Sequence, residues 1–155
     1  MKEADAKMNT IEYITETKEV LFSRKNLKNE ELSARLITDY IVSNGVVYEN
    51  IGSWVDDVVR IKLKKLEEET TYLTQSKKYN FRCVEYRKYE DDPSQREVLH
   101  VLEKESTSDL LPHLLIFNPS LQGRPLKRCA SEIDEDREIF VVYYLDDCEC
   151  ACRIK

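Results

Sequence analysis

Three cysteines close to the end of the chain, Cys148, Cys150 and Cys152, alternate with Glu149 and Ala151. On an extended strand alternate side chains share one face about 7 Å apart, near enough for three sulfurs to share a soft metal. The chain has no C-x-x-C pair and no histidine near these cysteines, and structural zinc sites are built from such groups. The expectation is three small apolar side chains turned toward the core, with no metal and no cofactor. His100 and His113 are the only histidines. Each stands in an apolar stretch, with no Ser or Cys in a nucleophile motif such as G-x-S-x-G to pair with, so no residue is assigned a catalytic role. The acidic runs Asp134-Glu135-Asp136 and Asp146-Asp147 lack the alternating oxygen ligands and turn glycine of a calcium loop and read as solvated charge. Ser131 follows Lys127-Arg128 and precedes Glu132 and Asp134, a setting that suits both basophilic and acidophilic kinases. A phosphate there would pair with Arg128, which makes Ser131 the candidate modification site. The aromatics Phe81, Tyr86, Tyr89, Tyr143 and Tyr144 either pack a sheet or line a peptide groove, where rings with one apolar and one wet side are favoured.

These residues need elements to position them. In Thr10 to Phe22 the residues Ile11, Ile14, Val20 and Leu21 keep loose helical spacing, which predicts a short helix inside an N-terminal extension, residues 1–29. Leu32, Leu36, Ile37, Tyr40 and Ile41 fall on one helical face, stopped by Ser43-Asn44-Gly45, and predict a helix over 30–43. Ser53 and Asp56 resemble a capping box ahead of Trp54, Val55, Val58, Val59, Leu63 and Leu66, predicting a helix over 50–69 with a solvated Lys/Glu face. From Tyr79 the period changes to two, so 79–89 reads as a strand, and Val98 to Glu103 as its hairpin partner across the turn-forming Glu90-Asp91-Asp92-Pro93-Ser94. Leu114 to Phe117 and Ile139 to Leu145 supply two more strands. Between them, 118–137 holds Pro119, Gly123, Pro125 and mixed charge, and reads as a long flexible loop. No internal repeat is visible. The result is an α+β fold with N-terminal helices packed on one face of an antiparallel four- to five-stranded sheet, forming a single domain over 30–155.

Composition narrows the function. The chain has 155 residues, 41% of them hydrophobic, enough for one core and not two. Thirty acidic against twenty-four basic side chains give a net charge of -6, so a nucleic-acid backbone would be repelled. Lys2, Glu3, Asp5 and Lys7 open the chain with no apolar run behind them, unlike a signal peptide. Apolar runs such as Phe140 to Leu145 fall far short of the ~20 residues that a membrane span needs. Five cysteines are an odd number and imply no disulfide framework. The expectation is a cytoplasmic protein with reduced thiols, meeting neither membrane nor nucleic acid.

The spacing of Tyr48, Trp54, Val58-Val59, Leu63 and Leu66, followed by Lys78-Tyr79, resembles that of the Tctex-type dynein light chains, and Glu138-Ile139-Phe140-Val141-Val142 resembles the last strand of that family. The resemblance covers about residues 31–145. It implies two helices on an antiparallel sheet, a strand-exchanged homodimer, and an extended partner peptide added to the sheet. The function expected is accordingly a non-catalytic adaptor that binds a protein partner at a sheet edge. The candidate contact residues are Arg82, Val84 and Tyr86 on one strand and Val98, His100 and Leu102 on the next. Two other classes stay open: a viral or host-defence factor that blocks a partner protein, and a small-molecule-binding protein or enzyme with a site near 118–137.

Overall fold

The computed structural model describes residues 9–70, 78–92, 95–116, 120–121 and 123–146. It is mostly sheet. The chain opens with a hairpin of β1 (Ile11–Ile14) and β2 (Val20–Arg24), followed by helix α1 (Asn29–Ile37). Then come β3 (Tyr40–Ser43), β4 (Val46–Val55) and β5 (Val59–Thr70). A second hairpin, β6 (Cys83–Lys88) and β7 (Val98–Glu103), leads to helix α2 (Thr107–Leu115), and β8 (Ser120–Leu121), β9 (Arg124–Asp134) and β10 (Ile139–Asp146) complete the described chain. Nine strands form one sheet in the order β2-β1-β5-β4-β3-β9-β10-β6-β7, and β8 pairs with β9 off this path.

This order contains a repeat. Strands β1 to β5 with α1, and β6 to β10 with α2, follow the same sequence of elements: hairpin, helix, then three strands. In each half the fifth strand lies parallel to the first, β5 beside β1 and β10 beside β6, and the third strand pairs antiparallel with the fourth. Corresponding strands run in opposite directions about the middle of the sheet, so a pseudo-dyad perpendicular to the sheet relates the halves. The halves join where β3 lies parallel to β9, with Tyr40, Ile41 and Val42 opposite Glu132, Ile133 and Asp134. Such a dyad keeps both helices on one face. Ala34 of α1 and Leu110 and Leu114 of α2 belong to one buried cluster with Tyr13, Ile61, Val84 and Phe140, and the two helices touch.

Several expectations are corrected. The fold is not a pair of N-terminal helices on a four- to five-stranded antiparallel sheet but a nine-stranded mixed sheet carrying two helices of nine residues each. Thr10 to Phe22 forms a hairpin, because Ile11 and Tyr13 alternate with Glu12 and the Thr15 hydroxyl accepts from the amides of Thr17 and Glu19 to close the turn. The helix expected over 30–43 ends at Ile37, with Thr38 already extended. The Asn44-Gly45 pair behind it, at φ 51° and 74°, makes a tight hairpin turn of the kind that needs two positive φ values, not a helix stop. The helix expected over 50–69 is the β4–β5 hairpin. Val59, Ile61 and Leu63 are buried while Arg60, Lys62 and Lys64 alternate with them, a period of two where 3.6 was read. Asp56 accepts from the amides of Asp57 and Val58 in the turn, so it caps no helix. Leu114 and Leu115 end α2, whose N-cap Ser106 accepts from the Asp109 amide. The segment 118–137, expected to be a loop, supplies β8 and β9, and β9 lies at the middle of the sheet. The hairpin of β6 with β7 and the strand from Ile139 are as expected.

Candidate functional site

The face of the sheet opposite the helices carries the charge. Along β6, Val84 and Tyr86 join the helix-side core, so by alternation Cys83, Glu85 and Arg87 face the other way. Over this half of the sheet that face is covered. Tyr79 and Phe81, ahead of β6, pack on Cys83, Ile139 and Val141, and Arg96, in the β6–β7 connection, lies over the rings of Tyr89 and Tyr143 at 4.9 and 5.4 Å.

Beneath the cover three carboxylates and three arginines are buried together: Glu85, Glu132, Asp134, Arg87, Arg96 and Arg137. Glu85, with no exposure at all, receives Nη1 and Nη2 of Arg137 at 3.1 and 3.2 Å. It also accepts Nε of Arg87 and, at 2.8 Å, the Tyr79 hydroxyl. Burial by itself would raise the Glu85 carboxyl, but the Arg137 and Arg87 guanidiniums outweigh it and hold the group below its ordinary range. Asp134 accepts Nε of Arg137 at 2.6 Å. Arg87 Nη1 donates to the Arg96 carbonyl, and Arg96 Nε to the Glu90 carbonyl, both at 2.7 Å, which ties the connection down.

Glu132 is the exception. It is 7% exposed, it forms no ion pair among the described residues, and its one hydrogen bond there is from the Tyr143 hydroxyl at 3.2 Å. Burial, reinforced by the nearby Asp134 charge, pushes its carboxyl up to about 7. A buried carboxyl is costly to ionise, and this one borders a cavity of about 230 Å³. Tyr40, Tyr89, Tyr143 and Arg96 supply the polar and aromatic wall, and Val47, Leu66 and Ala130 the apolar one. The cavity mouth at β9 is shaped by a bulge: Tyr143 pairs with Ala130 but Tyr144 with Arg128, so Cys129 is extra and lies exposed. Bulges beside binding sites re-aim side chains in this way.

The candidate residues read from the sequence are not gathered at this cavity. Val98, 42% exposed, and His100 lie on β7, an outer strand of the sheet, and Leu102 packs partly against the core. Val84 and Tyr86 lie on β6, which is not an edge, since β10 and β7 pair on its two sides, and both are buried. Arg82 is paired with Glu31 and donates to Thr107 Oγ1 at 3.2 Å. The Tyr86 hydroxyl and His113 Nδ1 are 3.0 Å apart, and burial lowers the His113 pKa. Ser131 is fully buried on β9. Its hydroxyl accepts Arg128 Nη2 at 2.8 Å, and its amide donates to Asp39 at 2.9 Å, so a kinase would have to lift β9 out of the sheet. Cys148, Cys150 and Cys152 lie outside the described residues. Among the described residues no group of three or more His, Cys, Asp or Glu side chains is placed to hold a metal, and no helix is long and apolar enough to cross a membrane.

Of the aromatics singled out in the sequence, Tyr89 and Tyr143 do line the cavity; Glu132, Tyr40 and Arg96 were missed. The signal for Glu132 was the alternation Glu132-Ile133-Asp134 running into the strand of Ile139 to Leu145. Comparison of the chain with family models, with curated proteins and with solved structures finds no match. Tyr48, Trp54, Val59, Leu63 and Leu66 lie on β4 and β5, and Val58 in the turn between them, rather than on a helix.

Proposed function

We propose that this chain is a non-catalytic binding protein and that its site is the cavity bordered by Glu132 on the covered sheet face. The observation that carries this reading is a buried carboxyl that forms no ion pair among the described residues, held at a preformed concave site among aromatic rings. Ligand sites have this character: a mostly apolar lining with a few convergent polar groups, and a strongly perturbed titratable residue. The volume is below the ~300–1,000 Å³ of sites for drug-sized compounds, which favours a compact ligand. A fragment screen on the whole chain by protein-observed NMR tests it. Shifts gathered at Tyr40, Ala130, Glu132 and Tyr143 support the reading; hits that avoid these residues sink it.

A second reading, a protein-binding adaptor, is favoured by one observation. β7 is an outer strand, with Val98 and His100 exposed on alternate positions, and outer strands pair readily with an added strand. A partner peptide or a second copy adding to β7 would slow amide exchange along Val98–Glu103, and a second copy would double the solution mass in light scattering. Unchanged exchange and a monomeric mass would remove this reading.

A further inference from the structure

We infer that the cavity takes a small organic cation, an amine or amidine on a flat or short apolar body, whose charged nitrogen pairs with the Glu132 carboxylate while the body lies among Tyr40, Tyr89 and Tyr143. The inference rests on the cavity being the ligand site. Its basis is the distribution of charge in the buried cluster. Arg137 is divided between Glu85 and Asp134, and Arg87 is given to Glu85 and the Arg96 carbonyl. Arg96 is folded back on Tyr89 and Tyr143 with Nε on the Glu90 carbonyl. Two of the three carboxylates are thereby hydrogen-bonded by arginine, whereas Glu132 feels the Arg137 and Arg87 charges without a hydrogen bond from either among the described residues. A cation entering the cavity supplies the missing partner, and a desolvated charge-assisted hydrogen bond is stronger than a neutral one. The Tyr40 ring adds a second source of selectivity, because cations are drawn to ring faces and Tyr89 and Tyr143 already carry Arg96.

A proton balance follows. The groups facing Glu132 are Tyr143 on β10, Asp134 on β9, Arg137 in the β9–β10 turn, Arg87 on β6, and Tyr40 and Arg96 across the cavity. With its carboxyl near 7, Glu132 is protonated in about half of the molecules at neutral pH and must lose that proton to pair with a cation. Binding of a permanently charged amidine therefore releases a proton and tightens by about tenfold between pH 6 and pH 8, levelling off above.

The test uses the full chain and three compounds of one shape: benzamidine (cationic), benzamide (neutral) and benzoate (anionic), each titrated by calorimetry and NMR at pH 6, 7 and 8. Expected is benzamidine binding at least tenfold tighter than the other two, with the stated pH trend and a heat that changes with buffer ionisation enthalpy. In E132Q the preference and the proton release should vanish, and A130L, which fills the cavity, should lose binding altogether. If E132Q does not fold, the three-compound comparison on the natural chain decides alone. Benzamide or benzoate binding as tightly as benzamidine overturns the cation inference and leaves the cavity as a ligand site. No shift at Glu132 or Tyr143 with any compound overturns both.

Discussion

At the scale of single residues, Glu132 has a thermodynamic signature that can be measured without any ligand. Its carboxyl is raised from 4.5 to about 7 in the folded chain, so the native state holds a proton that the unfolded state releases between those values. Stability contributed by the protonated form is full below about pH 4.5 and is lost as pH rises through 7. E132Q, which keeps an acceptor for Tyr143 and has no charge to desolvate, should flatten this slope. It should be more stable than the natural chain at pH 8, by at most about 3 kcal/mol. Urea melts of both proteins at pH 5 and 8 measure the difference; an equal slope in the two would place the titration elsewhere. Y143F removes the one hydrogen bond that lowers the Glu132 pKa, and carbon NMR of the carboxyl should show the titration moving upward. The alternation Glu132-Ile133-Asp134 hinted at a strand, but the burial of Glu132 was not legible in the sequence, where it stands just ahead of the acidic run Asp134-Glu135-Asp136 that reads as solvated. A carboxyl's burial is decided by which strand lies beside it, and β9 meets β3 across some ninety residues of chain.

At the scale of elements, the turns explain most of what was read wrongly. Asn44-Gly45 sits between Tyr40-Ile41-Val42-Ser43 and Val46-Val47-Tyr48, and both amides donate to the Asp136 carboxylate, at 2.7 and 2.8 Å. The pair is thus both a hairpin turn and the point where the β3–β4 turn meets the β9–β10 turn. G45A at φ 74° should destabilise the chain by about 1 kcal/mol, and D136A by about the same for the loss of two charge-assisted bonds. Chemical denaturation checks both, and a change below about 0.3 kcal/mol in either would contradict the geometry. Elements defined by local pairing, such as β6 with β7 and the strand from Ile139, could be read from alternation. Those whose apolar residues admit two periods, 10–22 and 50–69, could not, because Ile, Val and Leu at mixed spacing fit a short helix face and a half-buried strand alike. The basic and acidic residues of β9 concealed a strand whose outward side chains find partners only after folding.

At the scale of the whole molecule, an ion chain links the halves on the helix side: Arg24 and Arg35 from the first half converge on Glu135 of the second, while Glu31 joins Arg35 to Arg82. Arg35 is 7% exposed and also donates to the Tyr13 hydroxyl at 2.9 Å. Removing one of its two carboxylate partners in E135A leaves the buried cation with Glu31 alone, with an expected loss of up to about 3 kcal/mol; R24A, at the exposed end, should lose under about 1 kcal/mol. Thermal melts of the two variants compare them directly, and equal losses would mean that burial does not grade the chain.

The parallel seam between β3 and β9 also bears on how the protein reaches this state. Every other pairing in the sheet lies within one half, but the seam brings Tyr40–Val42 to Glu132–Asp134 and so closes a far longer loop than any of them. Contacts so distant in the chain form slowly, and the halves should acquire their own hairpins first. Until they meet, β3 and β9 are both bare edges, and β9 brings Ser131, Glu132 and Asp134 to that edge with nothing opposite. A carboxylate that makes a poor buried neighbour in the finished sheet is, during those moments, a charge on an exposed strand, and charge there discourages two chains from pairing with each other before each has paired with itself.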